Sequence, residues 1–555
     1  MSFLRELSIL DLSSLFQTPF LENSNLTMLL QNLTLLEELY IDGVNLTIRG
    51  NEWGQALSSS LSNLRVLSME SYSFSSPIDE SLCKLQSLSM IKLDSNNLSS
   101  PVPKCFMNFS NLTSLSLTDC ALNGTFPKEI FQIPTLKILD ISENDLLDGS
   151  FPEFPQNSNI QTLETSSTNF RGTIPASIGN LQQLSTLELS VCHYSGTLPK
   201  SMTNLTQLVF LRLFGNNFTG SIPSFHMPKN LTEIHLSFNR FTGPLPSAAY
   251  WQGLLNLVYV DLTNNTITGS IPSSLFSLPS VQWIDLSYNQ FSGRLLEFQI
   301  PPSSVLASVD LRGNELEGLI PKSFFKLKNL GDLLLSFNKF NGTFQLDRFN
   351  TSGNNSNFSS LTLFTSVKLA SCNLRTFPEM LRNQLVLSLL DLSNNQISGK
   401  IPNWIWKVGN GSLFFLNLSR NHLVGMHKLY PLPNLQTIDL SFNQLHGKIP
   451  VPSNDYHVDF SSNCFTASIP LDIGNYLSNV RSNNGLTRII PESICNTSSL
   501  KALDLSNNSL SGQIPTCMFA LSGPTRLNLA RNNLSGPIPD AFPVNCSLET
   551  LMETY

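Results

Sequence analysis

One short pattern, L-x-x-L-x-L-x-x-N, recurs about every 24 residues and constrains the fold more than any other feature. From Tyr72 to Asn216 every step between equivalent positions is 24 residues. Two less regular copies precede it, near Leu15 and Val44. A fixed period of this size, held over about 22 copies, predicts a repeat protein whose units stack side by side. The Asn position holds, in order, Asn96, Cys120, Asn144, Thr168, Cys192, Asn216, Asn239, Asn265, Asn289, Asn314, Asn338, Cys372, Asn395, Asn421, Asn443, Asn463, Asn484, Asn508 and Asn532.

The spacing within the pattern explains how the copies would pack. In L-x-L, two apolar side chains lie on one face of a short strand, and a single strand cannot bury that face alone. Stacked copies form a parallel sheet, and the Asn side chain can satisfy backbone groups that would otherwise be buried unpaired. We therefore predict an α/β solenoid with a concave parallel sheet, in which Cys120, Cys192 and Cys372 occupy buried positions in the Asn column. Reactive thiols are the alternative for these three cysteines.

A second signature follows the Asn, in forms such as GTIP (172–175) and GSIP (269–272). Gly permits a turn, and Pro fixes φ after an extended residue. The sequel, such as 273–281, is therefore predicted to form a short helix or 3-10 turn on the convex side. We expect one solenoid over residues 1–555, with irregular repeats in 1–70 and a longer convex insertion at 342–363.

The full motif, L-x-x-L-x-L-x-x-N-x-L-x-G-x-I-P, resembles the plant-type leucine-rich repeat. The chain is similar to the extracellular part of plant leucine-rich-repeat receptor-like proteins. Segments 51–69, 81–103 and 542–551 resemble the Verticillium wilt resistance group in particular. Members of that group often have Cys at the two positions where this chain has Gly54 and Tyr72, so the chain departs from the group's pattern there.

Four cysteines occupy matching places in adjacent repeats. Cys83 and Cys105 are 22 residues apart, as are Cys495 and Cys517, and both pairs keep the same offsets from the Pro position. Neighbouring strands lie about 4.8 Å apart, which suits the Cα separation of a disulfide. We predict these two disulfides; four small apolar convex residues are the alternative. Cys464 and Cys546 have no evident partner.

N-x-S/T sequons are dense in the chain, and their density indicates that the protein passes through the secretory pathway. Representative candidates for glycosylation are Asn97, Asn108, Asn204, Asn230, Asn354 and Asn496. The first residues do not read as a signal peptide, and no apolar run is long enough to span a membrane. Both ends of the chain fall within a repeat, so we expect a fragment of a longer cell-surface protein.

Catalytic motifs are absent from the sequence. It contains no phosphate-binding loop, kinase signature or H-E-x-x-H, and its His residues are scattered, so neither a cofactor nor a metal site is expected. The net charge of -7 includes no basic run, which argues against a nucleic-acid partner. Carboxylates recurring in one strand column, such as Asp261, Asp285 and Asp310, are expected to form a solvated ladder.

Ligand contact is predicted at the exposed strand columns, which lie six, four, two and one residues before the Asn. Between Asn216 and Asn289 these columns are rich in aromatic residues, which together with Arg are favoured anchors of interfaces. The alternative is that isolated exposed aromatics are ordinary on any surface. The candidate residues are Phe210, Arg212, Phe214, His235, Phe238, Tyr259, Trp283 and Tyr288.

We therefore expect a non-enzymatic function, the extracellular recognition of a protein, peptide or glycan by the concave face. The resemblance implies a plasma-membrane receptor-like protein, in defence or less often development, that signals through a partner receptor kinase. Two alternatives remain. One is a secreted inhibitor of microbial cell-wall-degrading enzymes, although those typically have far fewer repeats. The other is a non-functional truncated gene product.

Overall fold

The computed structural model divides the chain into two compact units. Unit 1 comprises Met1–Gln290 and Pro301–Ser303, and unit 2 comprises Phe291–Ile300 and Ser304–Tyr555. The residues whose structure is described here are 6–13, 30, 32–44, 52–70, 77–224, 228–340, 362–426, 434–449, 457–466, 468–469, 479–480, 483–496, 502–520, 526–538 and 549–552.

The main sheet of unit 1 is built from three-residue strands, one from each repeat, and every strand pairs in parallel with the strand of the next repeat. The central apolar residues stay in register, as in Leu187, Leu211 and Ile234, and their side chains are buried. This is the sheet that the L-x-L pattern predicts. Its strands are Ile9–Asp11, Glu38–Tyr40, Val66–Ser68, Met90–Lys92, Ser114–Ser116, Ile138–Asp140, Thr162–Glu164, Thr186–Glu188, Phe210–Arg212, Glu233–His235, Tyr259–Asp261 and Trp283–Asp285.

A second set of parallel strands follows the Asn position in unit 1. Its members are Asn123–Thr125, Asn144–Gly149, Thr168–Gly172, His193–Thr197, Asn217–Gly220, Arg240–Pro244 and Thr266–Gly269. Short helices then return the chain to the next repeat, and most of the 3-10 segments begin just after a Pro, as predicted for Ser273–Ser277. Among the described residues of unit 1, Glu52–Ser60 and Ala248–Gln252 are α-helical. The 3-10 helices are Glu80–Lys84, Lys104–Asn108, Lys128–Gln132, Ala176–Asn180, Lys200–Asn204 and Ser273–Ser277.

Unit 2 repeats the same architecture. Its main strands are Ser308–Asp310, Asp332–Leu334, Ser366–Lys368, Leu389–Asp391, Phe415–Asn417, Thr437–Asp439 and His457–Asp459, followed by Asn479–Val480, Ala502–Asp504, Arg526–Asn528 and Thr550–Met552. The strands after the Asn position are Gln290–Arg294 (which begins on the last residue of unit 1), Glu315–Gly318, Lys339–Phe340, Ser398–Ile401, His422–Met426, His446–Gly447, Cys464–Phe465, Thr487–Arg488, Ser509–Gln513 and Asn533–Ser535. The 3-10 helices are Lys322–Lys326, Glu379–Asn383, Asn403–Gly411, Glu492–Asn496 and Thr516–Ala520.

The Asn column forms a buried hydrogen-bond ladder between repeats. Asn144 has no exposed side-chain area; its Nδ2 donates to the Leu117 carbonyl at 2.9 Å, and its Oδ1 accepts from the Leu122 N–H at 2.8 Å. Cys120 is equally buried, with its Sγ 3.1 Å from the Leu93 carbonyl, and burial raises the pKa of its thiol to about 12. The prediction of structural, buried cysteines is confirmed for Cys120, and Cys192 and Cys372 are buried in the same way.

The disulfides connect 3-10 helices of successive repeats. Cys83 pairs with Cys105 at a Cα separation of 6.0 Å, and Cys495 pairs with Cys517 at 5.9 Å, which are the two pairings predicted from the repeat offsets. Cys464 is exposed and free, whereas Cys546 lies outside the described residues. The predicted insertion at 342–363 also lies outside them, apart from its last two residues.

Candidate functional site

Strand register brings most of the candidate residues onto one face of unit 1. In the column six residues before the Asn, Phe210 aligns with Glu233, Tyr259 and Trp283. In the column four residues before it, Arg212 aligns with His235 and then with aspartates. Because adjacent parallel strands are about 4.8 Å apart, side chains that share a column contact their neighbours directly.

The aromatic part of this face is a contiguous stack. The His235 and Tyr259 rings are parallel, with centroids 4.4 Å apart and an interplanar angle of 8°. The Tyr259 and Trp283 centroids are 6.3 Å apart at 40°. Trp283 is 44% exposed, although an indole of this size is ordinarily more buried. Burial lowers the pKa of His235, even though its Nε2 lies 3.3 Å from a Glu233 carboxylate oxygen. The imidazole is therefore neutral at pH 7 and presents a flat ring.

Arg212 is held in place by a carboxylate that the sequence reasoning missed. Its Nη2 donates to the Glu233 carboxylate at 2.6 Å, and its Nε donates to the same oxygen at 3.2 Å. Glu188 lies 3.7 Å away on the other side, and the guanidinium also sits 5.1 Å from the centroid of the Phe210 ring. The sequence did contain a signal for Glu233, because it is a charged residue in an otherwise aromatic column, between Phe210 and Tyr259.

Three carboxylates, Asp140, Glu164 and Glu188, follow one another across adjacent strands beside Arg212. Burial first, and then the neighbouring charges of Asp140 and Glu188, raise the pKa of Glu164 to about 7, against the lowering effect of Arg212. Burial also raises the pKa of Glu188, against the opposing effects of Ser190 and Arg212. This end of the face therefore carries three closely spaced acidic side chains, of which the Glu164 carboxyl is about half protonated near neutral pH.

The column two residues before the Asn is largely buried, so the prediction that it is exposed is wrong. Ser237 and Ser287 are 3% and 1% exposed. The reason is local: the Asp285 carboxylate accepts hydrogen bonds from the Ser287 N–H at 2.9 Å and from its hydroxyl at 2.6 Å, which turns the serine inward. Phe214 is the half-buried exception among the candidate residues.

The aspartate column has the same structural role in many repeats. Asp261 and Asp391 each accept a bond from the N–H two residues on, at 2.9 Å. Asp310 is only 5% exposed and is paired with Arg312. The expectation of a simply solvated carboxylate ladder therefore needs correction, because these carboxylates also fix the turn that leaves the strand.

The column immediately before the Asn contains the remaining candidates, Phe238 and Tyr288, together with Val191, which the sequence reasoning missed. These three side chains are 57%, 49% and 52% exposed, respectively. All three have left-handed backbone, with φ of 52°, 53° and 53°. A regular pattern of left-handed residues cannot be read from residue types such as Phe, Tyr and Val, which disfavour this conformation.

Other predicted sites have mixed outcomes. Asn97, Asn108, Asn204 and Asn230 are exposed, so their glycosylation stays a prediction compatible with the structure. Asn354 and the side chain of Asn496 lie outside the described residues. Within the described part of the chain, no group of three or more His, Cys, Asp or Glu is placed to hold a metal ion. No described helix is long and apolar enough to cross a membrane.

Sequence models of known families match several stretches of the chain. A model described as "Leucine rich repeat" matches residues 229–291. A second model of the same description matches 306–327, 386–408, 434–453, 499–521 and 524–545. The fold is a leucine-rich-repeat solenoid. These matches include the strands that carry His235, Tyr259 and Trp283.

Part of the chain is similar to plant receptor-like proteins. It is 38% identical to Receptor-like protein 7 of Arabidopsis thaliana over 143 residues, which are 25% of this chain and 12% of that protein. The matched region thus spans about an eighth of the relative's length. The leucine-rich-repeat fold and the receptor-like relatives agree with the prediction that the chain is not an enzyme.

Solved structures of plant receptor ectodomains match much more of the chain. The plant peptide hormone receptor RGFR1, in complex with RGF2, has a TM-score of 0.78 and 27% identity over 91% of this chain and 80% of its own. The Arabidopsis receptor kinase HAESA, in complex with the peptide hormone IDA and the co-receptor SERK1, has a TM-score of 0.70 and 26% identity over 96% and 87%.

Proposed function

We propose that the exposed face of unit 1 recognises an extracellular ligand. The observation that carries the proposal is the continuous stack His235–Tyr259–Trp283, which is flanked by the anchored cation Arg212. Tyr and Trp side chains lose little conformational entropy on binding, Arg212 is already held by Glu233, and aromatic and Arg side chains are the usual anchors of interfaces. The stack offers flat apolar surface, and the neighbouring carboxylates offer charge, so a peptide or protein with basic side chains suits it best.

The relatives support a proposal for the cellular role. We infer that the chain belongs to a plant cell-surface receptor-like protein, exposed on the extracellular side, that functions in defence. The resemblance of 81–103 and 542–551 to the Verticillium wilt resistance group supports this role. The HAESA complex contains a co-receptor, which supports a partner receptor kinase for this chain as well. The two disulfides and the four exposed sequons also favour an extracellular history.

The test uses the full chain, secreted with an added leader, as wild type and as a Tyr259→Ala/Trp283→Ala double variant. Leu255→Ala, which removes another exposed apolar side chain (57% exposed), is the matched control. Each protein is immobilised and exposed to secreted fractions from plant and microbial cultures, and retained molecules are identified by mass spectrometry and purified. We expect at least one retained molecule to bind the double variant ten-fold or more weakly in calorimetry, with Leu255→Ala unaffected. Equal affinity for all three proteins would contradict the proposal.

A further inference from the structure

The column immediately before the Asn in unit 1 combines two unfavourable features. Val191, Phe238 and Tyr288 each expose about half of an apolar side chain while their backbone is left-handed. A left-handed conformation costs roughly 1 kcal/mol or more for a residue with a Cβ, and β-branched or bulky residues are rare there. The repeat requires this φ at the column, but it does not require these side chains. Gly215 and Asn264, in the same column, are residues that suit the conformation.

Large and small residues alternate along this column over five successive repeats. The order is Val191, Gly215, Phe238, Asn264 and Tyr288, so ridges stand at every second repeat and notches lie between them. Backbone hydrogen bonds hold successive positions together. The Val191 N–H donates to the Phe214 carbonyl at 2.8 Å, and the Phe238 N–H donates to the Thr263 carbonyl at 2.8 Å. The notches are therefore fixed features of the rigid sheet edge.

The period of the ridges selects one kind of peptide backbone. At about 4.8 Å per strand, two repeats span about 9.6 Å. A polyproline II helix advances about 9.3 Å per three-residue turn, so it drifts by less than 1 Å over the two steps from Val191 to Tyr288. Side chains on one face of a β-strand recur every 6.4–6.8 Å. If one of them is aligned with a ridge, the next lies roughly 3 Å short of the next ridge. Two turns of an α-helix advance about 10.8 Å and drift by more than 2 Å over the column.

The surroundings of the column also suit a basic polyproline II segment. In other domains such segments dock in grooves lined by aromatic side chains. Three residues before the column, the same five repeats carry Glu188, Arg212, His235, Asp261 and Asp285, so acidic side chains outnumber the one cation there. The chain as a whole carries a net charge of -7, which complements a cationic ligand.

We propose that this edge column binds a proline-rich segment in the polyproline II conformation, with one residue of each turn in the notches at Gly215 and Asn264 and a basic side chain toward the carboxylates. The proposal rests on the ligand-recognition function above and names the ligand class. It also accounts for the residue choice, because burial of Phe238 and Tyr288 under a ligand offsets their exposure and their left-handed backbone.

The experiment measures binding of a fluorescent peptide of nine prolines and two C-terminal lysines to the full secreted chain. A Gly-Ser peptide of equal length with the same two lysines is the control probe. Phe238→Asn removes a ridge with a residue that suits the left-handed backbone, and Gly215→Phe fills a notch with a residue that the same column already accepts. We expect the proline probe to bind at least ten-fold more tightly than the control. Each variant should lose at least ten-fold in proline-probe affinity, with Leu255→Ala unchanged.

A thermal melt separates binding from folding. Phe238→Asn is expected to melt at the same temperature as the wild type or higher, so a loss of affinity in this variant cannot come from unfolding. Equal affinity for the two probes, or no effect of either variant, would overturn the inference. The inference would also be overturned, in favour of self-association, if sedimentation showed that the wild type is a dimer and that Phe238→Asn dissociates it. If secreted ligands are still retained through Tyr259 and Trp283 in those cases, the proposed function stands without the polyproline class.

Discussion

Replacing one ladder asparagine tests whether the buried side-chain bonds between repeats hold the solenoid together. Asn144→Ala leaves the Cys120 and Leu122 N–H groups and the Leu117 carbonyl without their Asn partner in a fully buried position. Each unsatisfied buried group costs about 1–3 kcal/mol, so the three together should cost about 3–9 kcal/mol. Asn144→Cys should cost less, because a thiol can restore the bond to the carbonyl, as Cys120 does naturally at 3.1 Å from Leu93.

The assay for this prediction is local, since a long repeat array does not unfold in one two-state step. Hydrogen exchange read by mass spectrometry on a peptide covering 117–125 should show protection reduced by about 30-fold or more in Asn144→Ala. The control is Asn159→Ala, whose side chain is exposed and donates to the Pro134 carbonyl at 2.8 Å. If both variants change protection to the same small extent, the argument that the ladder bonds carry the stability between repeats is refuted.

Two further predictions concern charge and crosslinking. The folded state holds the pKa of Glu164 at about 7, above its ordinary value, so the stability gained from the bound proton is full below about pH 4.5 and is lost as the pH rises through 7. Glu164→Gln should therefore flatten the pH dependence of the local opening free energy between pH 5 and 8, by about 1 kcal/mol after solvent screening of this partly exposed group. Hydrogen exchange on a peptide covering 160–168 measures this free energy, and an unchanged slope would contradict the prediction. Cys83→Ser breaks the disulfide that closes a 22-residue loop and should destabilise its repeats by about 2–4 kcal/mol. The expected readout is faster tryptic cleavage between residues 79 and 105. Cys464→Ser, which changes an exposed free thiol, is the control and should leave cleavage unaffected.

The repeat architecture was accessible from sequence because it depends on periodic spacing alone. L-x-L places strands, and matched offsets from Pro place Cys83 beside Cys105, whatever the exact packing is. The core after the Asn was not predicted in the same detail. Tyr194 and Phe218, each two residues after a ladder position, stack with centroids 6.2 Å apart, and this depends on side-chain direction, which spacing does not specify.

The candidate face was predicted in outline but not in its electrostatics. The columns that carry Tyr259 and Trp283 followed from the repeat, and both side chains lie where the pattern put them. The pairing of Arg212 with Glu233 depends on two long side chains meeting across strands, which a column alignment does not determine. The inward turn of Ser287 depends on a hydrogen bond to its own neighbour, Asp285, and reverses the expected exposure.

The ladder also gives the solenoid a direction. The side chain of Asn144 bonds to Leu117 and Leu122, both in the preceding repeat, and Asn265 likewise reaches back to the Leu236 carbonyl at 3.0 Å and the Phe241 N–H at 3.0 Å. Each repeat therefore completes the backbone of its N-terminal neighbour. When a repeat opens, the repeat before it loses partners for buried backbone groups, whereas the repeat after it keeps those that its own successor supplies. Through these side-chain bonds, local unfolding should spread more readily toward the N-terminus than toward the C-terminus.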